Sequence, residues 1–294
     1  MNLPDGRVLG FAEYGSQTGF PLIYCHGFPM CRLEAVALYK IALRRNLRVV
    51  APDRPGFGLS SIQPHRRITD WPADVQALAD HLDLPRFAVL GVSGGGPYAL
   101  ACAQQLQQSR MTAVGIYAGA PPWEAGAKQM PWFARLTSYL AFNWPTQFRI
   151  FFDQLVGLLR WIVNTRAVTG LIDSAILKAT KEGDKPAPIE ERRQRVIRAF
   201  LEPFAQGSEG AVEEARLLSS KWGIEYENVS YDEIQLWHGS KDVNAPVGLI
   251  RYMVKRLPHA TLREYENDTH YTVFQHKEEV IEGLLPEEKI AGLR

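Results

Sequence analysis

Ala88-Val89-Leu90-Gly91-Val92-Ser93-Gly94-Gly95-Gly96-Pro97-Tyr98 carries an apolar run into a serine set among glycines. Ala88 to Leu90 continues an apolar segment that reads as a buried strand, and Tyr98 to Ala103, mostly apolar, reads as a buried helix. Pro97 suits the first turn of that helix, where a missing N–H costs nothing. Gly-x-Ser-x-Gly therefore falls on a sharp strand-to-helix turn, the pattern that strains a serine outward and exposes its hydroxyl. Gly91 and Gly95 lack the side chains that would keep strand and helix apart at such a turn. The helix N-terminus just behind Ser93 collects unpaired N–H groups and a positive dipole end, suited to a developing oxyanion, with Gly94 as one donor. Acyl transfer through Ser93 is the chemistry this predicts.

Short apolar runs alternate with helical periodicity on either side of this turn. Pro21 to Cys25, Leu47 to Ala51, Phe87 to Leu90, Ala113 to Tyr117, Ile234 to Trp237 and Thr261 to Tyr265 read as strands of a mainly parallel sheet covered by helices on both faces. Val8 to Tyr14, after the Asp5-Gly6 turn, reads as an antiparallel edge strand or a hairpin leading in. After Ala120-Pro121-Pro122 the chain turns helical and aromatic until about Ser220. The organisation expected is a core of residues 1–120 and 219–294 with a helical cap of residues 121–218 inserted into it. The cap holds Trp123, Trp132, Trp144 and Trp161, four of seven tryptophans in the chain. Each is expected to pack inside the cap, and together they would roof a water-poor pocket over Ser93. The helix from Ile189 to Phe204 carries Ile189, Val196, Ile197, Phe200, Leu201 and Phe204 on a packing stripe. Phe148 to Val163, broken by Arg149, Asp153, Gly157 and Arg160, reads as a buried or lid helix with too many charges for a membrane span.

A serine hydroxyl needs a base, and the base needs an acid that fixes its tautomer. Asp242 follows the Ile234–Trp237 strand and His270 follows the Thr261–Tyr265 strand, both past the carboxyl ends where open parallel sheets place their sites. The order Ser, Asp, His is the one expected on this architecture. Asp268 and Glu266 lie too close to His270 in sequence to orient its ring, and Asp232 precedes its strand. His26 and His238 beside glycines are expected to brace loops, while His65, His81, His259 and His276 read as surface or helix positions. Phe28, the first free N–H in Cys25-His26-Gly27-Phe28-Pro29, is the expected second oxyanion donor.

The composition is that of an ordinary soluble protein: 294 residues, 46% hydrophobic, with 33 Lys and Arg against 32 Asp and Glu for a formal charge of +1. That balance gives no sign of a nucleic acid or an anionic membrane as partner. Glu190 to Arg198 alternates signs like a solvated helix face. Cys25, Cys31 and Cys102 form no disulfide framework and fit a reducing compartment. The N-terminal residues lack the apolar stretch of a secretory signal, so a cytoplasmic location is expected.

With those residues in place the chain resembles the α/β-hydrolase superfamily, particularly its lid-bearing members with His-Gly-x-Pro and Asp-Arg-Pro-Gly-x-Gly-x-Ser loops. Here these read His26-Gly27-Phe28-Pro29 and Asp53-Arg54-Pro55-Gly56-Phe57-Gly58-Leu59-Ser60. The resemblance implies Ser93 as nucleophile, Asp242 as acid, His270 as base and Phe28 and Gly94 as oxyanion donors, with no metal or organic cofactor. It departs in Thr269, where the family commonly has glycine before the base. His-Gly-Phe-Pro also resembles the oxyanion loop of epoxide hydrolases, which use an aspartate nucleophile where this chain has Ser93. The expected activity is hydrolysis of a carboxylic ester or related acyl bond in a small, largely apolar substrate. A carbon–carbon bond hydrolase, an acyltransferase, cyclase or lyase, and a small-molecule receptor share the fold. The sequence sets neither the substrate nor the oligomeric state.

Overall fold

The computed structural model describes residues 1–178 and 187–293. Seven strands form one sheet: β1 (Phe11–Gly15), β2 (Phe20–Cys25), β3 (Leu47–Pro52), β4 (Phe87–Val92), β5 (Met111–Tyr117), β6 (Ile234–Gly239) and β7 (Ala260–Tyr265), in the order β1-β3-β2-β4-β5-β6-β7. All neighbours run parallel except β1, which pairs antiparallel with β3 in the register Phe11↔Pro52. The edge-strand reading of this segment therefore holds, while no hairpin joins β1 to β2. An isolated antiparallel bridge, Asn2↔Val8, is what the Asp5-Gly6 turn closes.

Between and after the strands lie α1 (Tyr39–Arg44), α2 (Trp71–His81), α3 (Gly96–Gln105), α4 (Trp132–Asn143), α5 (Pro145–Ile162), α6 (Arg166–Lys178), α7 (Ile189–Leu201), α8 (Glu209–Leu218), α9 (Val247–Arg256), α10 (Lys277–Leu284) and α11 (Glu287–Leu293). Strand side chains alternate between faces. Ile23, Cys25, Val89 and Val114 pack with residues of α2, α3 and α9, while Leu22, Tyr24, Leu90 and Val92 pack with α1 and α10. Both faces of β4 are consequently buried along its whole length, which fixes the strand that ends at Ser93.

Helices α4 to α8 fill the interval between β5 and β6, the place of the expected cap, of which residues 179–186 lie outside the described residues. Its interior differs from expectation. Trp132, Trp144 and Trp161 are exposed instead of packed inside. Of the α7 stripe, Ile197 is buried and so is Phe204 just beyond the helix, but Phe200 is 65% exposed. The helix stops at Leu201 because Glu202–Phe204, with Pro203 inside it, tightens into a 3-10 turn. The inward packing of the cap comes from Phe148, Phe152 and Val156 of α5, spaced one helical turn apart, against Phe28, Phe204 and the small face of α8.

Candidate active site

Ser93 has φ +49°, a left-handed conformation that a non-glycine residue adopts at a cost of about 1–3 kcal/mol. Close packing imposes it. A Cβ on Gly91 would stand 2.4 Å from the Gly95 carbonyl oxygen, and one on Gly95 would stand 2.0 Å from that of Cys25. Strand β4, helix α3 and the end of β2 thus meet at contact distances that two glycines alone permit.

The structure brings together the three side chains that sequence reasoning paired. Ser93 Oγ lies 3.1 Å from His270 Nε2, and His270 Nδ1 lies 2.7 Å from Asp242 Oδ2. With Nδ1–H donating to the carboxylate, Nε2 is the free acceptor facing the serine hydroxyl. Asp242 is held from the other side, its Oδ1 accepting the N–H groups of Asn244 and Ala245 at 2.8 and 2.7 Å. That turn leaves Oδ2 for the imidazole. His238 Nε2–H donates to the Ala245 carbonyl at 2.7 Å, bracing the same loop as expected. Burial, more than any charge, holds its imidazole below the ordinary 6.5. The threonine that replaces glycine before His270 is accommodated: Thr269 N–H donates to Thr272 Oγ1 at 2.9 Å, within the turn that carries the histidine. Asp268 is occupied elsewhere, accepting from His276 Nε2 and Gln275 Nε2, each at 2.9 Å.

The segments that carry the expected oxyanion donors, Phe28 and Gly94, lie side by side. A Cβ placed on Gly94 would come within 3.0 Å of the Phe28 nitrogen, and both residues line the cavity over Ser93. The first N–H groups of a helix have no acceptor within it, which leaves that of Gly94 available. Several residues that sequence reasoning passed over shape the Phe28 loop. Glu34 Oε2 accepts the Gly27 N–H at 2.7 Å and the Tyr24 hydroxyl at 3.0 Å. Burial raises this carboxyl above its ordinary 4.5 in spite of those donors. On the other side of the loop the Arg54 guanidinium donates to the carbonyls of His26 and Gly27. His26 accepts the Arg54 N–H at Nε2 and donates from Nδ1 to the Gly27 carbonyl, so it is neutral, and burial together with the Arg54 charge keeps its pKa well below 6.5.

Arg54 is itself neutralised by the cap. Its Nε–H donates to Glu214 Oε1 at 2.9 Å, and Glu214 Oε2 accepts the Tyr98 hydroxyl at 2.7 Å and the Arg66 guanidinium. Glu214 and Arg54 are both fully buried. Burial would raise the Glu214 carboxyl, but the two guanidinium charges outweigh it and hold it below 4.5. Asp53 in the same loop accepts the Arg32 N–H at 2.6 Å and its guanidinium at 2.7 Å. The Asp-Arg-Pro-Gly loop is therefore the underside of the site.

A cavity of about 350 Å³ opens over Ser93, within the range of small-molecule sites. Phe28, Trp123, Met130, Phe133 and Leu218 make most of its wall apolar. Hydroxyls in its wall are bonded within the protein: Ser138 Oγ–H donates to Ser219 Oγ, whose own hydrogen goes to the Ala215 carbonyl, and Thr137 Oγ1–H to the Phe133 carbonyl. Among the described residues no group of three or more His, Cys, Asp or Glu is placed to hold a metal ion. None of the described helices alone is long and apolar enough to cross a membrane.

A half-buried serine elbow on a mainly parallel sheet, with an imidazole and a carboxylate delivered after later strands, defines a hydrolase of the α/β type. The chain belongs to the α/β-hydrolase fold family, whose model matches residues 21–277. It is 33% identical over 132 residues to haloalkane dehalogenase 2 of Mycobacterium tuberculosis, covering 41% of this chain and 42% of that one. It is also 28% identical over 120 residues to a non-heme chloroperoxidase of Streptomyces lividans, covering 40% and 43%. The chain thus matches these curated relatives over less than half of their length. Among solved structures, a putative aryl esterase from Burkholderia cenocepacia superposes with a TM-score of 0.67 at 16% identity, covering 100% of this chain and 98% of the other. A carboxylesterase structure from Nitrososphaera gargenis gives 0.64 at 17% identity, with 100% and 98% coverage. At such identities the likeness is one of fold.

Proposed function

We propose that the protein hydrolyses a carboxylic ester or related acyl bond of a small, largely apolar substrate through an acyl-Ser93 intermediate. The observation that carries this reading is the chain of contacts from Ser93 Oγ through both ring nitrogens of His270 to Asp242. His270 Nε2 takes the serine proton as Oγ adds to the acyl carbon, and Asp242 stabilises the imidazolium. The N–H groups of Phe28 and Gly94 hold the oxyanion. The tetrahedral intermediate collapses with loss of the alcohol, which receives the proton from His270. Water, deprotonated by the same nitrogen, then adds to the acyl-serine carbonyl, and the acid leaves as Ser93 regains its hydrogen. The apolar wall and internally bonded hydroxyls of the cavity suit an acyl or alcohol group without charge. The fold is one that esterase structures share.

The test is turnover of p-nitrophenyl acetate and butyrate with parallel labelling by a fluorophosphonate. The wild type should label and turn over, and Ser93→Ala should lose labelling and roughly 10⁴- to 10⁶-fold in kcat. Undiminished turnover by Ser93→Ala would sink the mechanism.

A further inference from the structure

The cap has a second apolar side. On α5 the residues that face inward, Phe148, Phe152 and Val156, are matched by Phe151, Leu155 and Leu158, also spaced at one and two turns, which stand exposed. A helix apolar on both sides requires a neighbour on both. Beside it α4 exposes Trp132, Leu136 and Tyr139 at the same spacing, and the Tyr139 ring meets that of Trp144 edge to face, 5.7 Å away, where the two helices join. Trp132 and Trp161 are each 69% exposed. Large apolar side chains exposed in a row along two neighbouring helices mark an interaction surface.

The charges around it say what covers it. Residues 127–178 hold six Lys and Arg and two Asp, a local charge of +4 in a chain whose total is +1. Both acids are engaged within the protein: Asp153 accepts the Ser208 N–H at 2.8 Å, and Asp173 pairs with Arg193. Lys128, Arg135, Arg166 and Lys178 are exposed and have no carboxylate partner among the described residues, while Arg160 donates to the Phe204 carbonyl at 2.8 Å. A second copy packed on this face about a twofold axis would set the same unopposed cations against one another. An anionic surface would neutralise them.

Tryptophan and tyrosine, with an apolar body and a polar edge, are also the side chains that settle at the boundary between acyl chains and headgroups. Helices α5 and α6 together contain an 18-residue apolar window with no more than two charges, yet they bend by 78° at their junction. That shape suits lying in a membrane surface and excludes a straight crossing.

We propose that the α4–α6 face of the cap docks peripherally on an anionic lipid bilayer, with Trp132, Trp144, Trp161 and the α5 ridge inserted at the headgroup boundary and the unpaired cations on the lipid phosphates. The near-zero charge of the whole chain hides this local partition. Phe133, next to Trp132, lines the cavity over Ser93, so docking sets the pocket beside the acyl chains. Binding itself does not depend on the chemistry of Ser93.

The test is cosedimentation of the full chain with sucrose-loaded vesicles of phosphatidylglycerol and phosphatidylcholine, against vesicles of phosphatidylcholine alone. Binding to the anionic vesicles should be at least tenfold tighter, should fall by about tenfold or more in ~1 M salt, where charges are screened within about 3 Å, and should persist in Ser93→Ala. Arg135→Glu with Arg166→Glu, and separately Trp132→Ser with Trp161→Ser, should each lower it by about tenfold or more while leaving the urea midpoint of the protein unchanged. Equal or absent sedimentation with both vesicle types overturns the proposal. So does a dimer in sedimentation velocity that Trp132→Ser with Trp161→Ser dissociates, because the face would then be covered by a second copy.

Discussion

Helices α3 and α5 are both apolar, and both carry proline in the first turn, yet eight of the ten residues of α3 are buried against two of the eighteen of α5. The apolar pattern of a helix states what it can bury and leaves open what it buries it against. Helix α3 runs behind the Ser93 turn between two sheet strands and α2, where Tyr98 to Ala103 all lie in the core. Helix α5 sits at the rim, where the core supplies a partner for one of its sides.

If that contrast is right, substitutions should be costly beneath the site and nearly silent on the outer cap. Glu214→Ala leaves Arg54 and Arg66 without their buried counter-charge and should cost about 3–5 kcal/mol in urea unfolding; a loss under about 1 kcal/mol would mean that the cluster is hydrated. Gly95→Ala, which forces a methyl toward the Cys25 carbonyl, should destabilise by about 1–3 kcal/mol or more. A smaller cost would show that strand and helix can separate at the elbow.

Acid should act on the same buried region. His26 and His238 are held neutral, chiefly by burial, below the ordinary 6.5. As pH falls through that value the unfolded chain takes up protons that the folded chain refuses, so stability drops by up to about 1.4 kcal/mol per pH unit for each histidine. Urea midpoints between about pH 7.5 and about 5.5 read this, and a flat profile would show that both rings are protonated in place. At the other extreme Trp161→Ser should change stability by less than about 0.5 kcal/mol; a larger loss would show that the outer face is packed against the protein itself.

What could be read from the chain divides along the same line. The strands, the turn at Ser93 and the positions of Asp242 and His270 announce themselves through local patterns: apolar runs, glycines and loops just past strand ends. The juxtaposition of these side chains then follows from parallel topology, which gathers carboxyl ends on one edge. Glu34 and Glu214 gave no such signal. Glu214 lies 160 positions from Arg54 and beside Glu213 in an ordinary amphipathic helix, and a contact at that separation has no local signature. The tryptophans misled for a related reason, since an aromatic side chain serves a core and an interface equally well.

The ion at Glu214 also ties the fate of the lid to that of the chemistry. Because a cap helix supplies the counter-charge for the guanidinium that props the carbonyls before Phe28, excising or transplanting the lid would do more than unroof the cavity. It would strand a cation beneath the proposed oxyanion cradle, so a chimera bearing a foreign lid should regain turnover only where that lid brings its own acid to the same spot.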